Sequence, residues 1–289
     1  MSEGYSLIKI DGEWAKPATV LIEKIAEAVG GLSKPYQIKR VAKAKAEAEL
    51  IEAQAERKIT ALRRRALTRF ITEEAKKQEN IESITKKALP QLNESSDPQN
   101  IENDWITNFF DKCRIVSDEE MQILWAKILA GEANSPRTYS KRTVNLLSSL
   151  DKYDAQLFTN FCRFSFEFAG LESFVYDLTE AIYKNQKINF DSLVHLDNAG
   201  LIRFDPSGGF AVIDLSSPFD IHYYGNALRV SFNNLPNNKI DIGKTMFTAT
   251  GLELAKICSS TPVDGFLDYV IKKLTEQGLT VVPLLQSPE

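Results

Sequence analysis

The stretch Ser117–Glu132, SDEEMQILWAKILAGE, decides how the rest of the chain is read. Ser117 stands three residues before Glu120, the spacing at which a hydroxyl and a carboxylate satisfy backbone donors at a helix start. Met121, Leu124, Trp125, Ile128 and Leu129 recur at helical intervals and form one wide apolar face. Gly131 suits the left-handed position that closes a helix. These features predict a capped core helix with Trp125 at its packing centre. Packing leaves Glu132, the lone acid beyond the glycine, unexplained.

The connection that follows, ANSPRTYSKRTVNLLSSLDKYDAQLF (Ala133–Phe158), places Arg137, Ser140, Lys141 and Arg142 between two apolar helices. Ser140 is expected to cap the helix carrying Val144 and Leu147, and Ser149 the one carrying Leu157, Phe158 and Phe161. Glu132 folding back onto Arg137 or Arg142 would lock the loop. The alternative is an active site assembled around Glu132 and Arg142. Acid–base chemistry there would want a second carboxylate or a histidine, and the two histidines, His195 and His222, lie elsewhere.

Upstream, KPATVLIEKIAEAVGG (Lys16–Gly31) predicts a helix with Pro17 in its first turn and an apolar stripe of Leu21, Ile22, Ile25, Ala26 and Val29. Its other face mixes Glu23, Lys24 and Glu27, which favours docking on protein over a membrane surface. From Pro35, strong helix formers run without Gly or Pro through Lys77. At ~1.5 Å per residue this helix would extend ~60 Å. Its stripe of Val41, Ala44, Ala48, Ile51, Ala55, Ile59, Leu62, Ala66 and Phe70 is narrow and alanine-rich, suited to one neighbouring helix or a second copy of the chain. Between Tyr36 and Glu79 there are 12 Lys/Arg and 7 Asp/Glu, whereas the rest of the chain is acidic. Arg63, Arg64, Arg65 and Arg69 cluster within two turns, with Lys39 and Arg40 further back. They form either a solvated face paired to glutamates or a surface for nucleic-acid phosphate or anionic lipid. A short helix through Ile81, Ile84 and Ala88 is expected to end near Pro90, followed by a loop, NESSDPQN.

MQILWAKILAGE, SKRTVNLL and LDKYDAQLF, together with the upstream KPYQIKR and QENIESITKKAL, resemble a bacterial family known as domain of unknown function 2806, over roughly Pro35 to Phe161. A related ILAGE-type signature occurs in abortive-infection alpha-like proteins. Members often have glycine after the loop proline, where this chain has Arg137. The resemblance carries no reaction. It implies a bacterial cytosolic protein connected with phage defence.

From about Phe164 the texture changes. Asn189–Leu215 reads as a short helix, a strand, a hairpin turned at Pro206–Gly209 and a second strand, resembling a winged-helix unit. Asp191, His195 and Asp197 lie on that helix, and no Lys or Arg occurs between Asn189 and Ile202, which argues against entry into a DNA groove. ALRVSFNN and KIDIGKTMFTA have strand character around the turn LPNN; Thr250 is expected to cap GLELAKIC, and an amphipathic helix through Phe266, Tyr269, Val270 and Leu274 precedes the strand LTVVPLL. NKIDIGKT fails as a phosphate loop, because Asn238 stands where the first glycine is required. No Gly-x-Ser-x-Gly elbow exists, and with two histidines and no acidic cluster at ligand spacing neither a metal nor a cofactor is expected. Cys113, Cys162 and Cys258 are far apart in sequence, consistent with small buried residues in a reducing compartment. No apolar run suits a signal peptide or membrane span.

The 289-residue chain is therefore expected to be α+β and predominantly α. It divides into an amphipathic segment (1–34), a long helical arm (35–97), a helical core (98–163) and a winged-helix-like α+β domain (164–289). The leading expectation is a non-enzymatic, cytoplasmic sensor or adaptor that forms homo-oligomers through the long helix and meets a protein partner. A nucleic-acid-binding protein using the basic cluster and an effector enzyme with a site between subunits are the alternatives.

Overall fold

The computed structural model describes residues 15–29, 60–233 and 238–284. It separates into two compact units, Met1–Ser148 and Ser149–Glu289. Together they are α+β and mainly α, as expected. Among the described residues no helix is long and apolar enough to cross a membrane.

The first unit is helical. Helix α1 (Ala15–Val29) buries Ala18, Leu21 and Ile25 against α3 (Asn103–Cys113) and a short 3-10 turn at Pro98–Asn100. Helix α2 spans Ala61–Ala88 as one rod, so the separate short helix expected around Ile81 is its C-terminal half. Its start corrects the reading of an unbroken arm. Thr60 is extended, with φ −63° and ψ 147°, and its hydroxyl accepts the Arg63 N–H. The expected arm before Thr60 lies outside the described residues.

The stretch Ser117–Glu132 forms α4 (Glu119–Asn134), but both of its ends differ from expectation. Asp118, not Ser117, is the cap, its carboxylate accepting the Met121 N–H at 3.0 Å. Carboxylates also suit the positive end of the helix dipole. Gly131 does not close the helix, which runs on to Asn134. The glycine instead leaves room for Tyr139: a Cβ at Gly131 would sit 2.6 Å from the Tyr139 ring. Met121, Trp125, Ile128 and Leu129 are buried as expected, and Leu124 is half-buried. Trp105 stacks on Phe109, and Phe109 meets Trp125 edge-on, each with ring centroids 5.1 Å apart. Full burial of each such side chain contributes about 1.5–3 kcal/mol. Helix α5 (Lys141–Leu147) is capped by Ser140, whose Oγ accepts the Thr143 N–H at 3.2 Å.

The second unit begins with α6 (Lys152–Cys162). Asp151, not Ser149, caps it, in a reciprocal box with Asp154. Strands β1 (Ser165–Glu167), β2 (Leu171–Ser173), β5 (Phe219–Tyr223), β6 (Asn226–Phe232) and β9 (Leu279–Leu284) form an antiparallel sheet in the order β2-β1-β5-β6-β9. Between these strands lie α7 (Ala181–Lys184) and α8 (Phe190–Asn198). The helix α10 (Phe266–Glu276) packs against β9. Phe164, Phe166, Phe174, Tyr183 and Phe266 make the aromatic centre, with Phe164 edge-on to Phe266 at 4.9 Å. Helix α9 (Ala249–Ala255) is capped by Thr248, not Thr250, through the Gly251 N–H at 2.9 Å.

The expected hairpin at Pro206–Gly209 does not form. Strand β3 (Ile202–Phe204) pairs with β8 (Thr245–Phe247), and β4 (Phe210–Val212) pairs with β7 (Ile240–Gly243). Thus β3 and β4 lie along successive parts of one partner segment, and Asp205–Gly209 is an excursion between them. Asp205 shapes it by accepting the Ser207 and Gly208 N–H groups at 2.9 and 2.8 Å. Gly243 is required where the partner segment breaks. A Cβ there would lie 2.1 Å from the Val175 carbonyl, and φ is +92°.

Candidate functional site

Glu132 lies in the last turn of α4 and is 2% exposed. Its Oε1 accepts the backbone N–H of Arg137 at 2.7 Å, and its Oε2 that of Tyr139 at 2.9 Å. A carboxylate holding two N–H groups makes charge-assisted bonds, stronger than neutral ones. The fold-back expected from sequence thus occurs, but it grips the loop backbone. The Arg137 guanidinium points elsewhere and lies 3.8 Å from Glu102, with both side chains exposed. Arg142 is exposed on the first turn of α5. The loop is fixed at a second point by the Trp105 indole, whose Nε1–H donates to the Tyr139 carbonyl at 2.7 Å. Arg137 itself has φ +74°, the left-handed region that favours glycine. The position where family resemblance leads one to expect glycine is therefore strained here by an arginine.

The basic cluster occupies the start of α2. Arg63, Arg64, Arg65 and Arg69 are all exposed, and Arg69 Nε lies 3.4 Å from Glu73 Oε1 in an i,i+4 pair. Such exposed pairs contribute little. Lys39 and Arg40 lie outside the described residues. On the same half of the helix Leu62 is 68% and Phe70 61% exposed, with exposed Ala66 between them at four-residue steps.

The other half of α2 is docked on α4. Ile81, Ile84 and Ala88 are buried there, and a polar network fixes the register. Asn80 donates to the Arg114 carbonyl at 2.8 Å, and Gln122 donates to the Val116 carbonyl at 2.9 Å. Ser83 and Lys87 donate to Gln122 Oε1 at 2.8 and 2.9 Å. Asn80, Gln122 and Tyr139 were missed in the sequence. The available signal was a polar residue inside an apolar periodic face, Asn80 beside Ile81 and Gln122 beside Met121.

In the second unit His195 Nε2 lies 2.6 Å from Asp154 Oδ1, so this acidic neighbour comes from α6. Tyr153 stands edge-on to the imidazole with centroids 5.7 Å apart. Lys244 donates to the Pro206 carbonyl at 2.5 Å, pinning the excursion between β3 and β4. Among the described residues no three His, Cys, Asp or Glu side chains gather in a group that could hold a metal ion.

A family model described as protein of unknown function (DUF2806) matches residues 64–271. No curated protein and no solved structure matches the chain.

Proposed function

The chain belongs to the DUF2806 family, and on that footing we propose that it is a non-enzymatic interaction protein that self-associates through α2. One observation carries this reading: half of α2 is docked into a core, while the other half exposes Leu62, Ala66 and Phe70 in one line. Regularly spaced apolar side chains left open to water mark a surface that a partner covers. Charge supports a second copy as that partner. Arg63–Arg65 precede Glu73 and Glu74 on the same rod, so two antiparallel copies would set arginines of one opposite glutamates of the other. In this reading the second unit meets a protein partner in the cytoplasm, as a sensor or adaptor. The resemblance to abortive-infection alpha-like proteins supports a setting in anti-phage defence. Sedimentation equilibrium of the full chain tests self-association: the reading expects a multimer, and a single monomeric species would refute it.

The exposed arginines favour a second reading, nucleic-acid binding. Four arginines within two turns can neutralise several phosphates. This reading expects affinity that falls steeply with added salt and is lost in an Arg63→Ala, Arg64→Ala, Arg65→Ala, Arg69→Ala chain. Binding indifferent to salt, or none, would exclude it.

A further inference from the structure

The cysteines that look isolated in sequence include a pair that meets in the fold. Cys162 is the last residue of α6, and its thiol has that of Cys258 as a near neighbour. Thr159, one turn earlier on α6, has its hydroxyl 3.7 Å from Cys258 Sγ, so the Cys258 sulfur rests along the Thr159–Cys162 face. Both cysteines sit on fixed backbone. The Cys258 N–H donates to the Ala255 carbonyl at 3.2 Å at the end of α9. Arg163 donates to the Thr261 and Pro262 carbonyls at 2.9 and 3.1 Å, tying the segment after Cys258 to the end of α6. The Tyr223 hydroxyl adds a further clasp, donating to the Arg163 carbonyl at 3.0 Å and accepting the Val263 N–H at 2.8 Å. Cys162 is buried, whereas Cys258 is partly accessible. Cys113 is buried in the other unit and serves as an internal control.

We propose that Cys162 and Cys258 are an oxidisable thiol pair, converted to an intramolecular disulfide by a small hydroperoxide such as hydrogen peroxide. The accessible Cys258 reacts first. Its sulfur attacks one peroxide oxygen, the S–O bond forms, the O–O bond breaks, and the leaving hydroxide takes the thiol proton to become water. The Cys162 sulfur then attacks the Cys258 sulfenic acid. The S–S bond forms, the S–O bond breaks, and the departing hydroxide takes the Cys162 proton as a second water. Two thiols are oxidised and one peroxide is reduced. Burial, reinforced by the neighbouring Cys258, pushes the Cys162 thiol well above the usual range, which keeps it a protonated thiol shielded from the oxidant and makes its attack on the sulfenic acid the slower step. A disulfide would bolt the end of α6 to the connection between α9 and α10.

The test is peptide mapping of the full chain after hydrogen peroxide treatment, without reductant. The expected product joins the Cys162 and Cys258 peptides with loss of two hydrogens, leaves Cys113 a thiol, and raises the thermal midpoint by several degrees until dithiothreitol is added. Cys162→Ser should stop at a Cys258 sulfenic acid that dimedone captures, and Cys258→Ser should not react. If either variant fails to fold, the wild-type map alone decides. The proposal is overturned if both thiols survive while glutathione in the same tube is oxidised. It is equally overturned if Cys258 forms only intermolecular links or higher oxides beside an unreacted Cys162. None of these outcomes depends on self-association.

Discussion

Glu132 spends its carboxylate on two backbone N–H groups, and that choice separates residues that look equivalent in sequence. Glu132→Ala would leave the buried Tyr139 N–H and the partly buried Arg137 N–H without their acceptor and should cost about 2–4 kcal/mol in urea unfolding, given ~1–3 kcal/mol for a fully buried unsatisfied group and less for a part-buried one. Arg142→Ala, at an exposed side chain, should stay within about 0.5 kcal/mol. Equal losses in the two variants would mean that the guanidinium forms the lock after all. Arg137→Gly should stabilise by about 0.5–1 kcal/mol, because glycine relieves the left-handed φ of +74° and the exposed contact to Glu102 contributes little. Sequence could show that an acid and a basic loop lie close together. It could not show which atoms pair, since that depends on the path of the Arg137–Tyr139 backbone. A separate residue-scale effect concerns pH. Arg229 donates to Asp220 through Nε at 2.7 Å and Nη2 at 2.8 Å, and this holds the Asp220 carboxyl below the usual carboxylate range. A carboxyl whose folded pKa is depressed stabilises above its unfolded pKa and loses that contribution as pH falls through the folded value. Asp220→Asn should therefore be less stable than wild type at neutral pH, with the gap in thermal midpoint closing in acid. A constant gap across the pH range would contradict the assignment.

Elements were legible where apolar periodicity was strong, and their ends were not. The face of Met121, Trp125, Ile128 and Leu129 located α4 because 3.6-residue spacing leaves few alternatives. Ser117 and Asp118 are both good caps, and packing of α2 on α4 selects between them: Asn80 approaches the Ser117 hydroxyl at 3.4 Å, leaving Asp118 to start the helix. Asp118→Ala should cost about 1 kcal/mol, and Ser117→Ala clearly less, in chemical denaturation. The reverse order would restore the cap to Ser117. The excursion at Asp205–Gly209 departs from the expected hairpin for a different reason. Its Pro, Ser and Gly have the composition of a hairpin turn, but β7 and β8, the strands that pair with its two flanks, begin only at Ile240. A local pattern carries no information on so distant a partner. The approach of Cys258 to the end of α6 was hidden in the same way.

At the scale of the whole molecule, the fold class followed from composition and alternating patterns, and the family seen in the motifs is the family matched, although the match covers residues 64–271, beginning after Pro35 and running on past Phe161 further into the second unit. The change of texture at Phe164 marks where strands begin. The division between compact units falls between Ser148 and Ser149, so α6 is grouped with the sheet it precedes. The proposed self-association joins these levels: a rod docked by one half and bare along the other is completed by a second copy. Because Leu62 and Phe70 are exposed, replacing them with glutamate should leave unfolding within about 0.5 kcal/mol while introducing charge into the proposed contact. Light scattering of the full chain at tens of micromolar, wild type against the Leu62→Glu, Phe70→Glu double variant, tests this most directly. The account predicts an oligomeric mass for wild type and a monomeric mass for an equally stable variant; a monomeric wild type, or an unchanged oligomer in the variant, would contradict it.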